Sequence, residues 1–239
     1  MQTNDSRNLK ASFVELMKSR IFSGVLKPGE RLPPERELAL QVGMSRGSVN
    51  QGILDLERIG LLRIIPRKGT FVADYLKNAT PETLSAIMSY DSALIDATLF
   101  RDLMAMRILV ERECTRLACE SLTPEKLDIL QSHCDAIYNS GDSEITEAIF
   151  LFHKCITEIC GNTAYAMVFN SFEKMLRNLI NEHYSNKDEL ASSLPKFEKL
   201  TAAIARRDAV YADSCMQSLL SQASDYLNLH LAEKRNASE

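Results

Sequence analysis

Glycine and proline place the strongest limit on what this chain can fold into. Seven of its nine glycines (24, 29, 43, 47, 52, 60 and 69) and four of its seven prolines (28, 33, 34 and 66) precede residue 70. After that point only Gly141 and Gly161 remain. Frequent Gly and Pro interrupt regular structure, so the front must be assembled from short elements while the rear is free to form long helices. Charge divides at the same place. Residues 1–77 hold 13 Lys and Arg against 8 Asp and Glu, whereas residues 78–239 hold 15 against 24, which together give the net charge of -4. A basic module of residues 1–77 is therefore joined to an acidic one of residues 78–239, and the overall acidity conceals a possible nucleic-acid footprint.

The remaining composition is that of an ordinary globular protein, with 45% hydrophobic and 25% charged residues. No apolar run is long enough to span a bilayer, and the first twenty residues are polar or charged at many positions. Neither a membrane anchor nor a secretory signal is expected, and the expected location is the cytoplasm. The six cysteines (114, 119, 134, 155, 160 and 215) form no Cys-x-x-Cys pair, which argues against a zinc ribbon and for buried thiols.

In the front module Leu9, Phe13, Leu16, Met17 and Ile21 recur at helical spacing before Ser23-Gly24 and Lys27-Pro28-Gly29 stop the helix. A second short helix opens at Glu35, with acids in its first turn opposing the helix dipole, and ends at Gly43. Ser45 then offers a hydroxyl cap to a third helix from Arg46 to about Ile59, with Val49, Ile53, Leu56 and Ile59 on one face. Two helices joined by a tight glycine-containing turn predict a helix-turn-helix. Behind it, Leu61–Ile65 and Thr70–Val72 read as strands around the basic tip Pro66-Arg67-Lys68-Gly69, a β-hairpin wing.

Four stretches carry a family resemblance: Leu32-Pro33-Pro34-Glu35-Arg36-Glu37-Leu38-Ala39, Val42-Gly43-Met44-Ser45-Arg46, Leu56-Glu57-Arg58-Ile59-Gly60-Leu61-Leu62, and Arg67-Lys68-Gly69-Thr70-Phe71-Val72. In this order, over about sixty residues, they resemble the winged-helix domain of GntR-family transcription regulators. The resemblance implies that the third helix enters the major groove of an operator and that the wing reaches the adjacent minor groove. Arg36 and Arg46 are then the guanidinium groups for phosphate or guanine, Ser45 and Ser48 short hydrogen-bonding groups, and Arg67, Lys68 and Gly69 the wing contacts. The chain departs from the pattern at Asn50, where the family usually has Arg; an amide there suits adenine. Pro34 replaces the common Ser or Thr cap, and Gly47 and Gly52 each weaken the recognition helix by roughly 1 kcal/mol relative to Ala.

From Pro81 onward helical periodicity dominates. Leu99, Leu103, Met106, Val110, Cys114 and Leu117 step by three or four, as do Ile145, Ile149, Phe152, Ile156 and Ile159. Thr123-Pro124 starts a helix, Gly161-Asn162 stops one, and further helices are predicted over 164–184, 194–206 and 209–232. The chain as a whole is thus mainly α: a winged helix-turn-helix with a small β-hairpin, followed by an all-α antiparallel bundle of six or seven helices able to enclose a small ligand.

Leu103-Met104-Ala105-Met106-Arg107, Phe152-His153, Cys160-Gly161-Asn162 and Ile204-Ala205-Arg206-Arg207-Asp208 make this half similar to the effector domain of the FadR (FCD-like) subgroup of the same family. Many members hold a metal through an Asp and three His. Here the Asp position is Ile149 and two of the His positions are Phe197 and Leu219, so only His153 remains and no metal or other cofactor is expected. His183 and His230 lie elsewhere in the sequence and do not restore the set. The resemblance implies an effector pocket with Arg107, His153, Asn178 and Tyr184 as polar contacts. A fatty acyl-CoA and a small organic acid both fit that expectation.

The expected function is that of a ligand-responsive, sequence-specific DNA-binding regulator, a repressor, acting as a homodimer on a double-stranded operator and independent of membranes. An enzyme is disfavoured because the chain has no phosphate-binding Gly-rich loop and no nucleophile elbow. A redox sensor using Cys155 with Cys160, or Cys114 with Cys119, is the remaining alternative, although residues five apart on a helix face different ways.

Overall fold

A computed structural model describes residues 2–88, 90 and 95–236 of the chain. It divides into two compact units, the first running through Tyr90 and the second holding Ala97 onward. The first unit contains helices α1 (Gln2–Phe22), α2 (Glu35–Val42) and α3 (Arg46–Arg58), strands β1 (Leu62–Ile65) and β2 (Gly69–Val72), and helix α4 (Pro81–Met88). The charge boundary at residue 77 falls short of this unit, because α4 belongs to it. Thr83 donates its hydroxyl to the Ile59 carbonyl at 2.8 Å, and Thr80 caps α4 by accepting from the Thr83 N–H.

The core of this unit forms where α1 packs across α3. Phe13, Met17 and Ile21 meet Val49, Ile53 and Leu56, all essentially without solvent exposure. Gly52 has a clear reason here. A Cβ added to it would come within 2.3 Å of the Phe13 ring, so the two helices reach this separation only because residue 52 lacks a side chain. Gly52→Ala is therefore expected to destabilise the unit by about 1–3 kcal/mol despite the better helix propensity of Ala. Urea unfolding of the two forms measures it, and an equally stable variant would show that the Phe13 ring moves aside at no cost.

Strands β1 and β2 pair antiparallel, with Leu62 opposite Val72 and Ile65 opposite Gly69. The segment before α2 joins them: Leu32 donates to the Thr70 carbonyl, Gly29 and Glu30 exchange backbone bonds with Val72, and Arg31 forms a bridge to Phe71. Sequence periodicity gave no sign of this third backbone segment, because a single bridge requires no alternating run.

The second unit contains α5 (Ala97–Ser121), α6 (Pro124–Asn139), α7 (Ile145–Ile159), α8 (Thr163–Ser171), α9 (Glu173–Tyr184), α10 (Lys187–Ala205) and α11 (Ala209–Asn236). Among the described residues these are seven helices with short connections, as a bundle requires. Helix α7 supplies the centre, with Ile149, Phe150, Phe152 and Ile156 fully buried. Thr123 and Asn162 cap α6 and α8 through backbone N–H groups. Arg207 lies between α10 and α11, and its guanidinium donates to the carbonyls of Cys119, Glu120 and Leu122, closing the C-terminal end of α5 with a cation.

Two predicted helices differ from the observed ones. The stretch 164–184 is broken at Phe172, whose N–H turns back to the Phe169 carbonyl while its ring is buried, separating α8 from α9. The helix predicted from residue 194 begins at Lys187, where Asn186 accepts from the N–H groups of Asp188 and Glu189, and it continues through Pro195. Burial of Ser193, Phe197, Leu200 and Ile204 along one face accounts for a helix that persists past a proline. No described helix is long and apolar enough to cross a membrane.

Candidate nucleic-acid interface and effector core

The turn between α2 and α3 is built by three residues. Gly43 takes a left-handed conformation (φ 67°, ψ 30°) that ends α2. Met44 donates back to Ala39, and Ser45, in extended backbone, accepts from the Ser48 N–H at 3.1 Å. The hydroxyls of Ser45 and Ser48 also lie 3.0 Å apart. Ser45 is exposed and Ser48 buried, so of the two only Ser45 presents its side chain to solvent. Asn50 is half-buried and donates its amide to Glu35 at 3.0 Å, tying α3 to the start of α2. An adenine reached by Asn50 has to compete with that bond.

Two groups stand out among the cations of this unit. Lys10, Lys18, Arg58 and Lys77 each meet a carboxylate of the same unit. Arg36 on α2, Arg46 at the start of α3, Arg63 on β1 and Arg67 and Lys68 at the wing tip are all exposed, and among the described residues none of them is in an ion pair. Arg67 stands at φ 63° and Gly69 at φ 114°, the left-handed backbone that lets the tip turn tightly. Arg31 joins this group. It is exposed, and its guanidinium lies so close over Gly69 that a Cβ there would come within 3.1 Å of it. Sequence reading missed Arg31 because it precedes α2 by four residues, and only its bridge to Phe71 brings it to the wing.

Unpaired cations on the short helices and the wing form a surface suited to phosphates. Lys68→Ala is expected to weaken DNA binding across all sequences and to lower the salt slope by about 1. Binding titrations at several salt concentrations measure it, and an unchanged slope would place the wing tip clear of the backbone.

The second unit buries a charged triad. Glu111 on α5 accepts from Arg107 Nε at 2.6 Å and lies 2.5 Å from His153 Nδ1 on α7. All three side chains are less than a tenth exposed. Burial alone would raise the Glu111 pKa, but Arg107 and His153 together outweigh it and hold the carboxyl at about 2. His153 thus has a partner that no local motif could reveal, 42 residues away and one helix over.

Arg107, His153 and Tyr184 line one tight cavity of about 10 Å³ with His183, Leu219 and Leu227. Its centre admits little more than one water molecule. Burial pushes the Tyr184 phenol up to about 12, so it stays neutral. His183, which the sequence reading set apart, belongs to this cavity. Its Nε2 lies 2.9 Å from Glu189, its Nδ1 is buried with no partner, and burial lowers its pKa against the pull of Glu189. Asn178 does not belong to it. It is exposed on the outer face of α9, because the buried face of that helix carries Met175, Leu176, Leu179, Ile180 and His183.

A divalent ion does not fit this donor set. Ile149, Phe197 and Leu219 are buried hydrocarbon, and the Phe197 ring stands edge-on to His153 at 6.2 Å. Among the described residues no group of three or more His, Cys, Asp or Glu side chains is placed to hold a metal. The cysteines are all buried. The fold brings Cys114 beside Cys160 rather than joining either pair considered from sequence. Burial and the neighbouring thiol push the Cys114 pKa well above its ordinary value, and burial pushes Cys155 up to about 11, which leaves little reactive thiolate.

A helix-turn-helix with a basic wing, followed by a seven-helix unit around a tight, largely apolar cavity, has the architecture of a winged-helix DNA-binding protein with a second helical domain. Comparison with known proteins agrees. Residues 9–72 match the model of bacterial regulatory proteins of the gntR family, and residues 102–222 match that of the FCD domain. The chain belongs to the GntR family and carries an FCD domain. It is 26% identical over 223 residues to the HTH-type transcriptional regulator LutR of Bacillus subtilis, covering 89% of this chain and 98% of LutR. It is 23% identical over 203 residues to a fatty acid metabolism regulator protein of Proteus mirabilis, covering 85% and 84% of the two chains. A solved GntR-family regulator from Pseudomonas syringae shares the fold with a TM-score of 0.53 at 19% identity, over 97% of this chain and 89% of that one. These relatives are transcription regulators, and the chain is a DNA-binding regulator rather than an enzyme.

Proposed function

We propose that this regulator is a homodimeric repressor, acting in the compartment that holds the DNA, whose operator affinity is set by a small carboxylate bound in the second unit. The observation that carries the effector reading is the Arg107, His153 and His183 lining. The Arg107 guanidinium, whose terminal nitrogens have no acceptor among the described residues, lines this largely apolar cavity. A carboxylate beside that guanidinium would gain charge-assisted hydrogen bonds in surroundings of low polarity. Two copies would present two reading heads to a pseudo-palindromic operator, and the ligand acts through its different affinity for the DNA-bound and free states.

A fatty acyl-CoA is the second reading, favoured by the similarity to the Proteus mirabilis regulator named for fatty acid metabolism. The cavity favours the smaller acid, because a nucleotide-bearing thioester demands far more rearrangement of so tight a space. Thermal melting of purified protein with a panel of small carboxylates and one long-chain acyl-CoA distinguishes them. A carboxylate that raises the melting temperature of the wild type and not of Arg107→Met supports the first, and stabilisation by the thioester alone supports the second.

A further inference from the structure

Two glycines stand in α3, and packing within the unit explains only one of them. Gly52 admits the Phe13 ring, whereas a Cβ built on Gly47 would meet nothing nearer than the Ser45 hydroxyl oxygen at 3.9 Å. The backbone does not require glycine there either, because Gly47 lies outside the left-handed region. Alanine is the better helix former, so a methyl group at residue 47 would firm up the free protein. At about 100° per residue, Gly47 falls opposite the buried row of Val49, Ile53 and Leu56, at the centre of the outward face of α3. On that face Arg46, Gln51 and Leu54 are exposed and Asn50 is half-buried. Leu54 stands two turns further along the same line as Gly47, so a strip of hydrocarbon runs from the bare Cα of Gly47 to the Leu54 side chain between flanking polar groups.

We infer that Gly47 is a gap in the reading face of α3 that seats the C5-methyl group of an operator thymine. The outermost point of a helix lying in the major groove comes nearest the base edges, and a missing Cβ at that point lets the backbone approach them further. Residue 47 offers no hydrogen-bonding side chain, and the thymine methyl is the one apolar group that base edges present in this groove. A Cβ at residue 47 would occupy the space of that methyl. This role depends on neither the effector nor a second copy of the chain.

The test uses the duplex that the full chain selects from a random-sequence pool, synthesised with deoxyuridine in place of each thymine in turn. Fluorescence anisotropy at one salt concentration compares wild type with Gly47→Ala. At one thymine position, loss of the methyl should weaken the wild type about three- to fourfold. The same exchange should change the affinity of Gly47→Ala by less than about 1.5-fold, because the two changes remove one contact. Gly47→Ala should bind the thymine duplex roughly fivefold or more weakly than wild type and scrambled DNA within about twofold. Its urea midpoint should nevertheless rise. Firmer folding together with weaker operator binding separates a contact with DNA from a purely structural role. A selected duplex without a fixed thymine, or a wild type indifferent to every deoxyuridine, would overturn the proposal. So would a Gly47→Ala protein that binds the selected duplex as tightly as wild type. Equal loss on selected and scrambled DNA, with no sensitive thymine, would make the gap a clearance for the sugar-phosphate backbone and overturn the methyl assignment.

Discussion

Replacing Glu111 with Leu is expected to destabilise the effector unit by about 3–5 kcal/mol, because it leaves the Arg107 cation buried without its counter-charge. Removing both charges, as in Arg107→Met with Glu111→Leu, should cost less than the single change, since no unpaired ion then remains. The pH dependence follows from the same contacts. The Glu111 pKa is lowered from 4.5 to about 2 in the folded chain, so its contribution is fully present above 4.5 and is lost as pH falls towards 2. That contribution is roughly 3 kcal/mol. Glu111→Gln should lack this step, although Glu113, Glu189 and Asp213, also lowered, keep part of the acid-side slope. Urea unfolding at a series of pH values measures both effects. A Glu111→Gln protein within about 1 kcal/mol of wild type at neutral pH, with the same acid profile, would show that the triad contributes little.

The second large effect concerns DNA. Arg46→Ala is expected to lose about 1–3 kcal/mol of operator binding if the guanidinium reads a base, and the double change with Arg36→Ala roughly 2–6 kcal/mol if the two act independently. Both side chains are exposed and, among the described residues, in no ion pair, so the folded state should keep its stability. Fluorescence anisotropy on operator and scrambled DNA at one salt concentration separates the roles. Loss on both sequences makes these residues phosphate contacts; loss on the operator alone makes them base readers. Unchanged binding to both would remove them from the interface.

The elements of the first unit were legible because each has a local cause. Gly43 must turn left, Ser45 must cap and Gly69 must open the wing strand, and all three do. Gly52 shows the limit of such reasoning. From propensity it weakens α3, but from packing it admits Phe13 of α1, a partner 39 positions earlier that no window along the chain contains. Arg31 reaches the wing, and Asn50 reaches Glu35, through the fold in the same way.

The effector unit was less legible because its site is assembled from four helices. Arg107, His153 and Tyr184 were read from sequence and do line one cavity, whereas Glu111 and His183 were not. Glu111 lies one helical turn from Arg107, a spacing common to many exposed ion pairs, and only its burial distinguishes it. Asn178 illustrates the reverse. It is polar and close in sequence to Tyr184, yet 100° per residue carries it to the opposite face of α9.

The most direct test of the account is binding of purified full-length protein, at fixed salt, to labelled DNA from the region upstream of its own gene, with and without the carboxylate that most raises its melting temperature. The account predicts specific binding whose affinity changes at least fivefold with that ligand, and a change that disappears in Arg107→Met. Specific binding that no ligand alters, or a response that survives the loss of Arg107, would contradict it.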